Sequence, residues 1–396
     1  AEARSVVVSS TSKSPGTQSL VPSPDTATLT WTRPATADLP ALHLTVTVRR
    51  DASNAPFEVV SGVLSRGGQT FAHLYLGGLI YLPPSKTTLA WGGAHTFLVH
   101  PPASPHASIP HGFGHATASI APATGVLKLT GQLADGAPLT ASLRPSTLRG
   151  YVLWATPYGS RLDSFLGGYL ATQPHPDLSG RLQVPDNVSP PTWKKAALPP
   201  STKASSQDKS YRAGFGPLTV PVSLEPWLPP VAAKPAKGST PAIPAITLAD
   251  RLGLATASLG LDYLPPPDAA FTEAQIDGLP ASLGLTVAGK PILPLVNPAK
   301  FALTLNPTTG AFSGSFFLTD TVPAPTQKDL AATKSFPRKV SFSGVLRHRQ
   351  PIDLTDITSE VVAPTVPVGQ GFFLLSALPD PASTEQLSGE IRFTAP

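Results

Sequence analysis

The chain has 396 residues and a formal net charge of +5, and only 13% of its residues are charged. A hydrophobic content of 41% supplies buried cores, so the composition excludes a disordered chain, which is poorer in apolar residues and richer in charge. The 48 prolines and 32 glycines exclude a protein built on long helices, because both residues interrupt them. The length allows two domains of ordinary size.

The first half of the chain predicts strands in sequence. Residues 1–26 are rich in Ser, Thr and Pro and predict an extended N-terminal arm. Alternating apolar and polar residues then predict strands at 27–32 and 42–50. A Thr-Gly hairpin follows at residues 118–133 (ASIAPATGVLKLTGQL). We assign the first β domain to residues 27–189.

The middle of the chain predicts a connection. Residues 190–245 mix Pro, Lys, Ser and Ala and predict a proline-rich linker that contains a short strand pair at residues 218–224. Within this linker, residues 229–244 predict a polyproline II spacer. The two β domains are therefore expected to be joined by a long, stiff segment.

Residues 246–396 predict the second β domain, centred on FALTLNPTTGAFSGSFFL at 301–318. Small Ser and Gly residues beside phenylalanines indicate rings that lie over glycines of neighbouring strands. A Thr-Gly hairpin, an aromatic run and a Leu-Ser-Gly strand occur in the same order in both halves, which predicts two copies of one unit. Inserts at 319–337 and 350–369 lengthen the second copy, and residues 272–277 predict a helical turn.

The sequence as a whole predicts an all-β fold with two tandem antiparallel β-barrel or sandwich domains and long Pro-rich connections. Many short strands joined by hairpins are typical of both architectures. Glycines in the middle of strands favour strongly bent strands, so we prefer two up-and-down barrels of about six to eight strands each.

The hairpin NPTTGAFSGSF, the strand KVSFSGVL, the run GQGFFL and the closing LSGEI resemble modules near the C-terminal ends of large secreted or surface proteins of environmental bacteria. The similar stretches LADGAPLTAS and SYRAGFGPLTVPV extend the resemblance to about residues 114–396. The resemblance implies extracellular β modules with no established catalytic residues.

The absence of cysteine and methionine excludes disulfides, thiolate metal sites and a cysteine nucleophile. Without an initiator methionine, the chain is expected to be processed or to be a fragment, and its Ala-Glu-Ala start fits cleavage of a signal peptide. We therefore expect an extracellular or cell-surface protein, or a periplasmic one. No apolar run approaches the ~18 residues of a membrane span, so none is predicted.

Five histidines between residues 95 and 115 are the candidate metal ligands, since neutral imidazoles bind zinc, copper or nickel. Their spacings of five, six, five and four residues match no metal motif, and no Asp or Glu lies between residues 92 and 133. We therefore predict neither a metal nor another cofactor. Instead, the five histidines are expected to lie in a solvated loop or to make polar contacts with a partner subunit. These histidines are His95, His100, His106, His111 and His115.

Tryptophans are the candidate sugar-binding residues, because sugar faces stack on exposed rings. Trp193 and Trp227 lie in proline-rich segments, where they either bind a ligand or pin the linker onto a barrel. Trp154 lies in an apolar strand and is predicted to be a core residue. No nucleophile elbow, phosphate-binding loop or metalloprotease motif is present, and we predict no catalytic residues.

Three functional hypotheses follow. The first is a secreted, non-enzymatic structural subunit or accessory component of an extracellular or cell-envelope assembly, whose arms contact other protein subunits of the same or a different chain. The second is a β module that binds a carbohydrate or a small ligand, and the third is a secreted hydrolase. The scattered basic residues predict no nucleic-acid partner, although they suit an anionic polysaccharide or cell envelope.

Overall fold

A computed structural model describes residues 7–10, 25–33, 35, 41–50, 58–66, 69–74, 89–102, 106, 108–146, 150–159, 163–175, 178, 181–184, 190–198, 208–237, 241–266, 278–323, 333–348, 367–376 and 386–395. Within these ranges the chain is almost entirely β. All of its sheets are antiparallel, and the largest is an eight-stranded sheet curled into a nearly closed barrel. The predicted all-β fold class is therefore confirmed.

The N-terminal sheet is a meander in which each strand pairs with the next along the chain. Its first strand lies within residues 1–26, where the sequence predicts an extended arm, and it pairs with the second strand over four residues. The strands are β1 (Val7–Ser10), β2 (Asp25–Arg33), β3 (Leu42–Arg50), β4 (Glu58–Arg66) and β5 (Gln69–Leu74).

Two five-stranded sheets follow, and we call them together the two-sheet body. Sheet 2 has the order β17-β6-β7-β8-β9 and sheet 3 the order β10-β11-β12-β15-β16. The strands of sheet 2 are β6 (Gly93–Val99), β7 (Gly114–Ile120), β8 (Leu127–Gln132), β9 (Pro138–Leu143) and β17 (Val222–Pro226). Those of sheet 3 are β10 (Pro145–Ser146), β11 (Gly150–Ala155), β12 (Phe165–Ala171), β15 (Thr192–Lys195) and β16 (Phe215–Thr219).

The two sheets bury one common core. Phe97 and Leu129 from sheet 2 belong to the same buried cluster as Leu153, Leu166 and Trp193 from sheet 3. The two-sheet body is therefore a pair of packed sheets, the sandwich alternative, and not the closed barrel that the bent-strand argument favours. The predicted first domain, 27–189, covers most of this body and also strands of the separate N-terminal sheet. A two-stranded ribbon of β13 (Gln173–Pro174) and β14 (Leu182–Gln183) completes this part.

The described residues 190–198 and 208–226 of the predicted linker contribute three strands to the two-sheet body. β15 lies between β12 and β16 in sheet 3, and β17 pairs with β6 in sheet 2. Beyond Pro226 the chain folds back on itself into a ribbon, in which Val231 bonds to Ile246 and Lys234 to Ile243 through paired 2.9 Å backbone hydrogen bonds. The described residues of the predicted polyproline spacer, 229–237 and 241–244, thus belong to a self-paired ribbon, because residues between the prolines retain their N–H donors.

The barrel is built from residues 258–394 in the order β20-β19-β18-β25-β24-β23-β22-β21. A single helical turn, α1 (Leu248–Arg251), precedes it and is capped by Thr247 and Asp250 in a reciprocal capping box. The strands are β18 (Ser258–Leu264), β19 (Ser282–Leu285), β20 (Pro291–Ile292), β21 (Ala302–Asn306), β22 (Ala311–Pro323), β23 (Thr333–Leu346), β24 (Gly369–Ser376) and β25 (Gln386–Thr394).

Phenylalanine rings lie over cross-strand glycines in the barrel, as the sequence predicts. Phe342 pairs with Gly314, and Phe312 pairs with Gly344. A Cβ atom at either glycine would collide with the ring of its partner. Because glycine has no side chain, each ring can lie directly over the glycine of the neighbouring strand and fill the barrel interior.

The two-sheet body packs against the outside of the barrel. Phe372 on β24 points out of the barrel and belongs to the core of the body, whereas Phe373 points into the barrel core. Tyr211 joins the two parts through two hydrogen bonds with Ser388. The Tyr211 hydroxyl lies 2.9 Å from Ser388 Oγ and accepts the N–H of Ser388 at 2.8 Å. The body and the barrel are therefore in direct contact.

The two Thr-Gly turns have the same local geometry. The N–H of Gly125 donates to Ala121 O at 2.8 Å, and that of Gly310 donates to Asn306 O at 2.9 Å. Both glycines have φ near +70°, which side chains disfavour. The sheets that contain the two hairpins differ in strand order, and the duplication of a whole unit stays a prediction. Two further expectations, the helical turn at 272–277 and most of the insert at 350–369, lie outside the described residues.

Candidate functional site

The structure does not bring the five candidate histidines together. His95 and His115 are buried on neighbouring strands, and burial lowers the pKa of each to about 4. His100 lies 3.1 Å from Ser223 Oγ, and His111 Nε2 donates to the carbonyl oxygen of His106 at 2.9 Å. In the described part of the chain, no group of three or more potential metal-binding side chains exists.

The two candidate sugar-binding tryptophans are both core residues. Trp193 donates from Nε1 to Tyr158 Oη at 3.0 Å and packs edge-on against Phe215. Trp227 enters the end of the barrel, where Nε1 donates to Pro307 O at 3.0 Å. With less than 2% of each side chain exposed, neither ring offers a face to a sugar, and both pin their segments onto β sheets.

Trp154 shows the opposite departure from its predicted core position. It is 60% exposed because the alternation of β11 turns Tyr151 and Leu153 inward and Trp154 outward. Its ring stacks on Phe165, with centroids 4.8 Å apart and planes within 16°. Gly167, which pairs with Trp154 across the strands, makes room for the indole.

A cleft runs along the junction between the body and the barrel. A cavity of about 400 Å³ is lined by Asp135, Tyr158 and Asp208 of the body. A second cavity of about 580 Å³ has a floor of barrel hydroxyls. The two share the lining residues Gly136, Leu374 and Gln386. The floor hydroxyls belong to Thr304, Ser313, Ser315, Ser341 and Ser343.

An ionic network lies behind the wall of the smaller cavity. Lys195 Nζ is 3.1 Å from Asp135 Oδ2 and 3.0 Å from Asp208 Oδ1, and it also donates to Ser210 O at 2.5 Å. The side chains of Lys195 and Asp135 are 1% and 0% exposed. Buried charges persist only where partners of this kind compensate the lost hydration.

Tyr158 completes the network. Its hydroxyl donates to Asp135 Oδ2 at 2.7 Å, and its ring lies 5.1 Å from Lys195 Nζ in a cation–π contact. Burial, together with the charge of Asp135, raises the pKa of Tyr158 well above its ordinary value, so the phenol stays protonated and remains a donor. The second carboxylate oxygen, Asp135 Oδ1, accepts the N–H of Ala137 at 3.1 Å.

This network does not have the access that a hydrolase needs. Two carboxylates converge on one amine, but Asp135 is closed to solvent and satisfied by an amine, a phenol and a backbone N–H. A glycosidase pair must instead flank a substrate and a water molecule. The arrangement is instead suited to interactions or reactions among its own side chains, Lys195, Asp135 and Asp208.

Sequence reasoning missed this network because its members lie far apart, from residue 135 to residue 208. One signal was available in the segment TWKK. Trp193 and Lys195 are two residues apart and share a strand face, so a buried Trp193 implies a buried Lys195. The interpretation of residues 190–216 as a linker concealed that alternation.

Comparison with protein-family models, curated proteins and solved structures finds no match to this chain. The resemblance to bacterial surface modules therefore stays a prediction. In the described ranges, none of the helices has the length and apolar character that crossing a bilayer requires.

Proposed function

We propose that this chain is a non-enzymatic structural subunit of an extracellular or cell-envelope assembly, in which it packs against further copies of itself. The observation that carries the proposal is an apolar strip on the barrel. The strip consists of five exposed apolar residues that lie close together in sequence: Val287, Ile292, Leu293, Leu295 and Val296.

The strip is far more exposed than apolar side chains usually are. Val287 is 83% exposed, Val296 is 78% exposed and Leu295 is fully exposed. Exposed apolar side chains grouped in this way mark contact sites in soluble proteins, because their burial releases water. Association with another subunit would cover it.

The strip adjoins the seam of the barrel. Among the described strands, β20 pairs only with β19 and β21 only with β22. Unpaired strand edges accept strands from other chains. Apolar contact and backbone pairing are therefore available at the same place, which supports a protein partner over a small ligand.

The ribbon at residues 231–246 is a second projecting element. Its residues 232–237 and 241–245 are exposed, and it is held by hydrogen bonds to itself. A paired ribbon loses less conformational entropy on binding than a flexible arm does. It suits the role that the sequence suggested for proline-rich arms, which is to lie across a neighbouring subunit.

Light scattering tests the proposal on the purified chain. The molar mass should rise with concentration above the 41.0 kDa of one chain. The double variant Leu295→Asp with Val296→Asp should stay monomeric. The matched control Thr140→Asp with Ser142→Asp, which places two charges on exposed positions of β9, should associate as the original chain does. An original chain that stays monomeric at every concentration contradicts self-association.

Carbohydrate binding is the second candidate function, and the exposed Trp154–Phe165 stack favours it. Stacked rings on the outer face of a sheet offer a flat apolar surface to a sugar ring. Affinity electrophoresis in gels with embedded polysaccharides tests it. Trp154→Ala should abolish retardation and Val152→Ala, on the same face, should preserve it, whereas equal mobility with and without polysaccharide would remove this candidate.

A further inference from the structure

Lys195, Asp135 and Asp208 lie in a geometry that permits covalent chemistry between them. The Lys195 amine is in contact with one oxygen of each carboxylate, at 3.1 and 3.0 Å. Lys195 belongs to sheet 3, and Asp135 lies in the turn that joins β8 and β9 of sheet 2. The contact therefore bridges the two sheets of the body.

We propose that Lys195 and Asp135 condense to form an intramolecular amide bond, with Asp208 carrying the protons. The bond Lys195 Nζ–Asp135 Cγ forms and the bond Asp135 Cγ–Oδ2 breaks. An ammonium and a carboxylate become an amide and one water molecule, so atoms and charge balance without any other reactant.

The protons have a defined route. Asp208 accepts a proton from Lys195, which leaves a neutral amine whose lone pair attacks Asp135 Cγ. Two of the three ammonium protons reach the departing Oδ2 through Asp208, and the third stays on the amide nitrogen. Asp208 returns to its carboxylate form at the end of the reaction.

The remaining contacts of Asp135 suit the transition state. The Ala137 N–H lies 3.1 Å from Oδ1, where it stabilises the negative charge that develops as the amine adds. The Tyr158 hydroxyl donates to Oδ2 at 2.7 Å, and it assists the departure of that oxygen. Gly136 and Ala137, the neighbours of Asp135, line the cavity of about 400 Å³, so the released water has to cross only the wall of this cavity.

Burial supplies the driving force. In water, an ammonium and a carboxylate are well hydrated and the separate ions are favoured. In a closed site both ions lose their hydration, and this desolvation raises the free energy of the buried ion pair. Condensation replaces two buried charges by a neutral amide. The product is a covalent link across 60 residues of sequence in a chain that has no cysteine.

Intact-mass spectrometry of the denatured full chain tests the proposal. The chain should be lighter than its sequence by one water molecule. Trypsin should yield a branched peptide in which residues 129–149 are joined to residues 195–203, because the bond between Arg144 and Pro145 resists cleavage. Lys195→Arg should restore the full mass, and the control Lys194→Arg should keep the loss.

Two outcomes would overturn the proposal. A folded original chain with its full mass would leave Lys195 and Asp135 as an ion pair. A loss of water that persists in Lys195→Arg would instead indicate a succinimide at Asp135–Gly136, which loses the same mass without a branch. Asp208→Asn keeps both reacting side chains and should retain the full mass if Asp208 carries the protons. Loss of one water molecule from Asp208→Asn would exclude that role.

Discussion

The two-sheet body and the barrel fill their interiors in different ways. The body encloses a charged network of Lys195, Asp135 and Asp208 beside its aliphatic core. The barrel is filled by phenylalanines such as Phe312 and Phe342, whose rings lie over glycines. The body therefore depends on a few compensated charges, whereas the barrel depends on shape. Substitutions in the two parts should therefore change the free energy of unfolding by different amounts, and these changes should depend differently on pH.

The largest effect should follow removal of the central charge of the body. Lys195→Met removes both the ion pair and the proposed amide, so it leaves Asp135 buried without a partner, and an unpaired buried charge costs about 3–5 kcal/mol. Chemical denaturation measures the loss. Lys194→Met, the neighbouring position on the opposite strand face, should change stability by less than about 0.5 kcal/mol. Equal effects of the two substitutions would remove the charged network as a determinant of the body.

The body should also lose stability in acid through its buried histidines. His115 has its pKa lowered from 6.5 to about 4, so the unfolded chain binds more protons than the folded one between these values. The stability that neutral His115 contributes is present above pH 6.5 and is lost as the pH falls to 4, so the free energy of unfolding falls by about 3 kcal/mol over this range. His115→Phe should reduce the difference in stability between pH 7 and pH 4.5. An unchanged difference would contradict a buried neutral His115.

The barrel should be sensitive to one added methyl group. Gly344→Ala places a Cβ against the ring of Phe312 and the backbone of Gln370, and overpacking of this kind costs about 1–3 kcal/mol. Gly284→Ala, in the same barrel, meets only ordinary contacts with Ile292 and should cost less. If thermal unfolding does not separate the two variants, the ring-over-glycine packing is not what holds the barrel.

The smallest effect should follow removal of a side-chain hydrogen bond to a Thr-Gly turn, a feature that both parts have. The Thr-Gly turn of the body is held by Tyr151, which donates to Gly125 O at 3.0 Å, and that of the barrel by Trp227. Tyr151→Phe removes one buried hydrogen bond and should cost about 1 kcal/mol. Tyr169→Phe, whose hydroxyl meets Ser146 in a less buried place, should cost less. The opposite order, measured by urea denaturation, would contradict this account of the turn.

Local alternation was enough to predict the fold class, the central hairpins and the phenylalanines over glycines. The fold class and the hairpins depend on residues that are adjacent in sequence or paired through one turn, and the glycines and phenylalanines recur along the neighbouring strands β22 and β23. The partition of strands between a sandwich and a barrel could not be predicted, because it depends on which strands meet after long connections. The hydrogen bonding of β15 within a proline-rich segment is the clearest case, since its partners lie in β12 and β16.

The candidate sites were less predictable than the fold. Trp154 and Trp193 each occupy a strand, and the alternation of β11 and β15 decides which one faces solvent. The Lys195 network collects side chains from four separate segments, and the apolar strip lies in a connection without periodicity. Such features depend on the assembled structure, and a single sequence carries only fragments of them.

Footprinting of the apolar strip tests the central proposal most directly. Hydroxyl radicals label exposed side chains in solution, and Leu295 and Val296 are among the most exposed apolar residues of the described chain. If the chain is a subunit that packs on its own copies, labelling of these two residues should fall as the protein concentration rises. Labelling of Val152 on the body should not change. Undiminished labelling of Leu295 and Val296 at high concentration would contradict the assembly role.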